Sequence, residues 1–191
     1  MSTRIIAGTA RGRRLRTPRG AATRPTSDRV REALFSSLEA ELGSVTGLRF
    51  LDLYAGSGAV GLEACSRGAG VVTCVEQDRR TAALIRDNAR NLGFRAVEVV
   101  TAPVRRVLQV PPQTPYDVVF LDPPYPAPST EVVEDLTALV SLHWLAVAAL
   151  VVAERSVRSE PLTWPTGLAG GRQKRYGDTL LWYGHAAAGA N

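Results

Sequence analysis

Apolar residues in this chain follow two rhythms. Short, nearly unbroken apolar runs, "LRFLDL", "VVTCVE", "VEVV", "YDVVFL" and "ALVVAE", alternate with stretches whose apolar positions recur every three or four residues, "AVGLEACSR", "DRRTAALIRDNARNLG" and "STEVVEDLTALV". A run without polar-apolar alternation suits a strand covered on both faces, and the three-to-four spacing suits a helix with one buried side. The alternation predicts an α/β protein with a mostly parallel sheet and helices on both faces. Asp78 is the expected N-cap of the "DRRTAALIRDNARN" helix and Gly93 its stop. Upstream, Thr26 and Ser27 open a helix whose apolar positions Val30, Ala33, Leu34, Leu38 and Leu42 share one face, ending at Gly43. The segments "RIIAG" and "RGRRLRTP" read as a small β-hairpin, and "RQKRYGDTLLWY" reads as a closing pair of strands, for seven strands in the sheet. Residues 1–22 are expected to form the hairpin extension and residues 23–191 the main domain.

Composition supports one core and removes several classes. With 191 residues and 45% apolar content the chain can bury a single substantial core. No window of about 18 uncharged apolar residues occurs, and "MSTRIIAGTARGRRL" carries no secretory apolar segment. A cytoplasmic protein with no membrane association is expected. Cys65 and Cys74 form no CxxC pair, and His143 and His185 stand apart. No metal site or disulfide framework is therefore expected, and both thiols are predicted to be small buried hydrophobes.

Charge adds a partner. Of 23 basic residues only Lys174 is not arginine, and the net charge is +5. Arg4, Arg11, Arg13, Arg14, Arg16, Arg19, Arg24, Arg29 and Arg31 crowd the first 31 positions, where Asp28 is the only acid. Guanidinium groups bind phosphate oxygens in pairs, so the block predicts a phosphate-rich partner, with Arg4, Arg11, Arg13, Arg14 and Arg16 of the hairpin as its nucleic-acid contacts.

Two constellations carry chemistry. In "LDLYAGSGAVG", Gly56, Gly58 and Gly61 lie between a strand and a helix, and Glu76 follows the next strand. This is the Rossmann-type arrangement, in which glycines admit a ligand to a helix N-terminus and the second acid takes a ribose diol. Asp52 would add a negative charge beside the loop, which suits a ligand bearing an amine and a sulfonium better than a pyrophosphate. The second constellation is "FLDPPY". Pro123 and Pro124 stiffen the chain after a buried strand, so that the Asp122 side chain and the Pro123 carbonyl become two fixed acceptors matching the two hydrogens of an exocyclic amine. Tyr125 would stack on a base taken out of its helix. Such a site could serve adenine N6, cytosine N4, guanine N2 or a glutamine amide.

The loop Asp-x-x-x-Gly-x-Gly with its distal acid resembles the cofactor site of class I S-adenosylmethionine-dependent methyltransferases. Together, "RIIAGTARGRRL", "TRPTSDRVREALFSSL", "LDLYAGSGAVGLEACSRGA", "VEQD" and "FLDPPY" resemble the RsmD family of bacterial 16S rRNA guanine-N2 methyltransferases over nearly the whole chain. The resemblance implies a Rossmann-like class I methyltransferase fold acting on guanine 966, in the usual rRNA numbering, within an assembling 30S particle. S-adenosylmethionine would be the donor, S-adenosylhomocysteine the product, and the enzyme a monomer. It further implies a cofactor site formed by Arg24, Thr26, Asp52, Tyr54, Ala55, Gly56, Ser57, Gly58, Glu76, Gln77, Thr101 and Ala102, and catalytic residues Asp122, Pro123, Pro124 and Tyr125. Many relatives place an Asp after the third strand, where this chain has "VVTAPV", so Thr101 or the Ala102 backbone is expected to meet the adenine amine. Lys174 and Arg175 are placed near the RNA. The competing readings are an amino-methyltransferase on another base, a non-catalytic RNA-binding assembly factor, and an NAD-dependent oxidoreductase. The last lacks a catalytic His or a Tyr-x-x-x-Lys.

Overall fold

The computed structural model describes residues 3–18, 27–124 and 128–187. Within them, seven strands form one sheet in the order β3-β2-β1-β4-β5-β7-β6. The strands are β1 (Arg49–Leu53), β2 (Val71–Val75), β3 (Val97–Val100), β4 (Tyr116–Leu121), β5 (Leu145–Ser156), β6 (Leu168–Tyr176) and β7 (Thr179–Ala186). The helices are α1 (Asp28–Leu42), α2 (Ala59–Ser66), α3 (Arg79–Leu92), α4 (Val104–Leu108) and α5 (Ser129–Ser141). Strands β1 to β5 pair in parallel, whereas β7 runs antiparallel to both β5 and β6.

Both sheet faces are covered, which is why the strands read as continuous apolar runs. Leu51, Leu53, Val119, Leu121 and Val151 pack on one side against Val104, Val132, Leu136 and Leu139 of α4 and α5. Phe50, Val72, Cys74, Val118, Phe120 and Val152 pack on the other against Leu34, Phe35 and Leu38 of α1, Val60 of α2 and Ile85 of α3. Cys65, expected to be buried, is only partly so, although it packs against the same core cluster as the buried Cys74. Helix boundaries follow the cap residues. Ser27 accepts from the Val30 amide and Asp78 from the Thr81 amide, while Gly43 and Gly93 close α1 and α3 with positive φ.

Three features depart from the sequence reading. Helix α4 has no counterpart among the elements expected from the sequence, since five residues are too few to display a helical period. Strand β5 begins at Leu145 rather than Ala149, joined through a register shift opposite Tyr116–Val118, with Ala148 at φ 59°. The N-terminal segment does turn back on itself, with Ile5 and Arg13, and Thr3 and Leu15, joined by backbone hydrogen bonds around a 3-10 turn at Gly8–Ala10. Its ladder reduces to one isolated bridge, Arg4 with Arg14.

What holds this hairpin is a buried charge cluster. Ile5, Ala10 and Leu15 fill an apolar patch with Ala59, Leu62 and Ala89 of α2 and α3. Beside it, Glu63 of α2 is fully buried and accepts from the Ile6 and Ala7 amides at 2.7 and 2.9 Å and from Arg67 Nε at 2.9 Å. Arg31 is also fully buried, 3.7 Å from Glu63, and donates to the Arg4 carbonyl and to Asp28. Arg31 therefore drops out of the phosphate-binding block: its charge is spent on joining α1, α2 and the hairpin. Charges drawn from three segments far apart in sequence meet here, and no local pattern could pair them.

Candidate active site

The chain runs outward from β1 to β2 and β3, then returns to β4 on the other side of β1. The crevice beyond the carboxyl ends of β1 and β4 is thus the topological switch point, where open α/β sheets bind ligands. Register brings the two sequence constellations together there. Leu53 pairs with Leu121, and the next residue, Asp122, donates its amide to the Leu53 carbonyl at 3.4 Å. Asp52 lies one residue before the end of β1, level with Phe120 and Cys74.

The glycine loop folds tightly over the ends of β1 and β2. Ala55 donates to the Val75 carbonyl at 2.9 Å, and Gly58 donates to Ala55 at 2.7 Å. Gly56 and Gly58 both have positive φ, and Gly58 starts α2. A Cβ on Gly58 would come within 2.7 Å of Ile85, and one on Gly61 within 2.5 Å of Cys74 Sγ and 3.1 Å of Asp52 Oδ2. The first glycine permits the turn, and the other two let α2 sit directly on the sheet and on α3.

Both acids flanking the loop brace it. Glu76 accepts from the Gly56 amide at 2.9 Å through one carboxylate oxygen and from the Asp78 amide at 2.8 Å through the other. Asp52, 1% exposed, accepts from the Gly61 amide at 2.8 Å. Burial raises the Asp52 carboxyl to about 7, opposed by the Gly61 hydrogen bond and reinforced by the negative charges of Asp122 and Glu76. Three carboxylates therefore share one crevice, a setting that favours a cationic ligand.

The sign of the Asp52 shift gives a measurable consequence. The folded protein holds a proton on Asp52 between about pH 4 and 7 that the unfolded chain has released, so this group's contribution to stability declines as pH rises across that window and levels off above it. Thermal denaturation of the ligand-free protein at pH 5 and pH 8 should show a larger loss for wild type than for Asp52→Asn. Equal losses would mean that Asp52 is ionised throughout.

Tyr54 sits at φ 61°, a conformation that costs a residue with a side chain of order 1–3 kcal/mol. Its hydroxyl donates to Asp135 of α5. Burial and this bond raise the Tyr54 phenol, and burial raises the Asp135 carboxyl. At the start of α5, Arg155 donates to Ser129 Oγ at 3.1 Å. The helix that follows the Asp-Pro-Pro corner is thus tied to the glycine loop at one point and to β5 at another. Asp135 and Arg155 belong to no motif. Asp135 did leave a signal, being the one acid among the inward positions Val132, Leu136 and Leu139 of α5.

The remaining assigned positions divide. Ala55, Ser57 and Ala102 are half-buried around the crevice, Gln77 is exposed, Pro123 is buried and Pro124 exposed. Thr101 is exposed and its hydroxyl accepts from Arg86 at 2.6 Å. Arg24, Thr26 and Tyr125, and with them "TRPT" and most of "YPAP", lie outside the described residues. Arg4, Arg11, Arg13, Arg14 and Arg16 are all exposed along the hairpin. Lys174 and Arg175 lie on β6, at the opposite end of the sheet from β3, where Lys174 donates to Ser37 Oγ at 3.1 Å. Among the described residues no group of three or more His, Cys, Asp or Glu could hold a metal, and no helix is long and apolar enough to cross a membrane.

Comparison with known proteins bears on the family and the fold. Residues 3–185 match the family model described as Conserved hypothetical protein 95. Ribosomal RNA small subunit methyltransferase D of Escherichia coli is 37% identical over 171 residues, which cover 90% of this chain and 83% of that protein. The chain belongs to the RsmD family. The RsmD relative from Haemophilus influenzae is likewise 37% identical, over 85% of this chain and 82% of its own length. The solved structure of yhhF from Escherichia coli superposes with a TM-score of 0.87 at 34% identity, covering 98% of this chain and 99% of that one. The magnesium protoporphyrin IX methyltransferase ChlM of Synechocystis, solved with bound SAM, shares the fold at a TM-score of 0.65 and 15% identity, over 83% of this chain and 79% of that one. The RsmD chain described here thus has a Rossmann-like class I methyltransferase fold, with its antiparallel pair β6 and β7 at one edge.

Proposed function

We propose that this protein transfers a methyl group from S-adenosylmethionine to N2 of guanine 966 in 16S rRNA, on an assembling 30S particle and as a monomer. The observation that carries the reading is the convergence of Asp52, Glu76 and Asp122 on one crevice at the switch point, beside a glycine loop whose backbone a ligand can approach. Membership of the RsmD family supports the rRNA substrate.

S-adenosylmethionine supplies a methyl group on a positively charged sulfur. On the protein side, Asp52 and Glu76 provide the negative field that suits its amine and sulfonium and a diol acceptor at the β2 end, with Thr101 and Ala102 at the end of β3 beside the adenine. Asp122 and the Pro123 carbonyl accept the two hydrogens of the guanine amine and hold its nitrogen lone pair toward the methyl carbon. The nitrogen–carbon bond would form as the carbon–sulfur bond breaks, with S-adenosylhomocysteine as the leaving group, and the amine proton would pass to the Asp122 carboxylate and on to water. Alignment of the reacting atoms supplies most of the rate, as expected where they are held near contact. Tyr125 would stack on the extruded base. Residues 1–22, through the exposed Arg4, Arg11, Arg13, Arg14 and Arg16, would form the RNA-contacting extension of the catalytic domain, residues 23–191.

Radiolabelled methyl transfer to 30S particles from a strain lacking this gene, followed by nucleoside analysis, tests the reading. N2-methylguanosine at a single position is the expected product. N6-methyladenosine would instead support the runner-up chemistry, and no transfer would support a non-catalytic assembly factor.

A further inference from the structure

On the outer side of the sheet's β3 edge, an open groove of about 500 Å³ lies between the C-terminal half of α3 and β3. Arg86, Arg90 and Arg95 line it, with Phe94 and Val97 contributing apolar surface. All three arginines are exposed. Arg86 is held by the Val99 carbonyl and the Thr101 hydroxyl, neutral acceptors that fix the guanidinium without cancelling its charge. Arg90 pairs with Asp87 at 3.2 Å, but both side chains are largely in water, where such a pair is weak and screened. Strand alternation turns Glu98 to the face opposite Val97, away from the groove.

The hairpin joins this surface. Arg13 donates to the Asn91 carbonyl at 3.1 Å, and the Arg16 backbone exchanges two hydrogen bonds with the Asn88 side chain. Arg13 of the hairpin thus reaches α3 one residue from Arg90. Guanidinium groups lining one groove with a half-buried aromatic ring match a phosphodiester with its base, the chemistry of single-stranded nucleic acid. Helix α3 spans 14 residues, about 20 Å, and the groove lies toward the end remote from the crevice. RNA held there is flanking sequence rather than the target nucleotide.

We propose that the α3–β3 groove is a second RNA-backbone contact, in which Arg90 and Arg95 bind phosphates and Phe94 receives a base. The proposal rests on the rRNA reading above. Its test is the double variant R90E/R95E, with R90K/R95K as the charge-conserving control. Binding of a fluorescent single-stranded 16S rRNA fragment would be followed across salt concentrations, and S-adenosylmethionine affinity by calorimetry. R90E/R95E should weaken RNA binding about tenfold or more and flatten the slope of log K against log salt by about 1.4, the value for two phosphates on a single strand. It should raise KM for 30S particles while leaving kcat and cofactor affinity unchanged, and R90K/R95K should bind RNA nearly as wild type does. Unaltered RNA affinity and slope, an equal fall in cofactor affinity, or a wild-type protein that does not bind the fragment would overturn the groove. Groove-dependent RNA binding without methyl transfer would support the groove and overturn the methylation reading alone.

Discussion

Asp122→Ala is expected to slow methyl transfer about 10²- to 10³-fold in single-turnover assays with 30S particles, the usual effect of deleting one preorganised polar partner of the reacting group. Cofactor affinity should be largely kept. The backbone explains the separation: the Asp122 amide extends the β1–β4 ladder to Leu53, and neither that bond nor the Gly56–Glu76 and Gly61–Asp52 bonds depends on the Asp122 side chain. Asp122→Asn, which keeps one acceptor oxygen and loses the charge, should fall between wild type and alanine. Transfer at the wild-type rate in Asp122→Ala would remove Asp122 from the chemistry. A fall in cofactor affinity as large as the fall in rate would make it a cofactor ligand instead.

Glu63→Ala should be the most destabilising single substitution outside the sheet core. It leaves the fully buried Arg31 guanidinium with the half-exposed Asp28 as its remaining carboxylate partner, and removes the acceptor for the Ile6 and Ala7 amides and for Arg67 Nε. Breaking a buried ion pair from one side typically costs about 3–5 kcal/mol. For a chain of this size that is a fall in Tm of roughly 10 °C. Hydrogen exchange at Ile6 and Ala7 should accelerate more than exchange in β1 or β4, because the hairpin loses its anchor before the sheet is affected. Glu63→Gln keeps an acceptor and should lose less. Melting within about 1 kcal/mol of wild type in Glu63→Ala would show that Ile5, Ala10 and Leu15 hold the hairpin by apolar packing alone.

Both predictions depend on residues that the sequence exposes to different degrees. Asp122 is conspicuous because it closes an apolar run and precedes two prolines, so its strand, its position and its rigidity all follow from neighbours within a few residues. Glu63 and Arg31 give no such sign. Arg31 lies among charged neighbours and reads as a solvated charge, while Glu63, the one acid in the apolar stretch "AVGLEACS", gives no hint of its partners; only the meeting of α1, α2 and the hairpin pairs them. Tyr54 is intermediate: its place in the glycine loop is plain, whereas its hydroxyl bond to Asp135, 81 residues later, is not. The departure at Thr101 is similar. The missing acid after β3 is visible in the sequence, but the Arg86 guanidinium that meets the Thr101 hydroxyl comes from the outer face of α3.

The sequence by itself determined the alternation of strands and helices from β1 to β5, the caps of α1 and α3, the glycine loop and the Asp-Pro-Pro corner. Each of these depends on interactions within one or two turns of chain or on how often apolar residues recur, and such information is local. Tertiary structure alone decided that β7 enters the sheet between β5 and β6, that Tyr54 is tied to Asp135, that Arg31 is an internal tie, and that Arg13 of the hairpin reaches α3. Those outcomes depend on which distant segments come into contact, and the free energy of a contact between distant residues is written in neither segment alone.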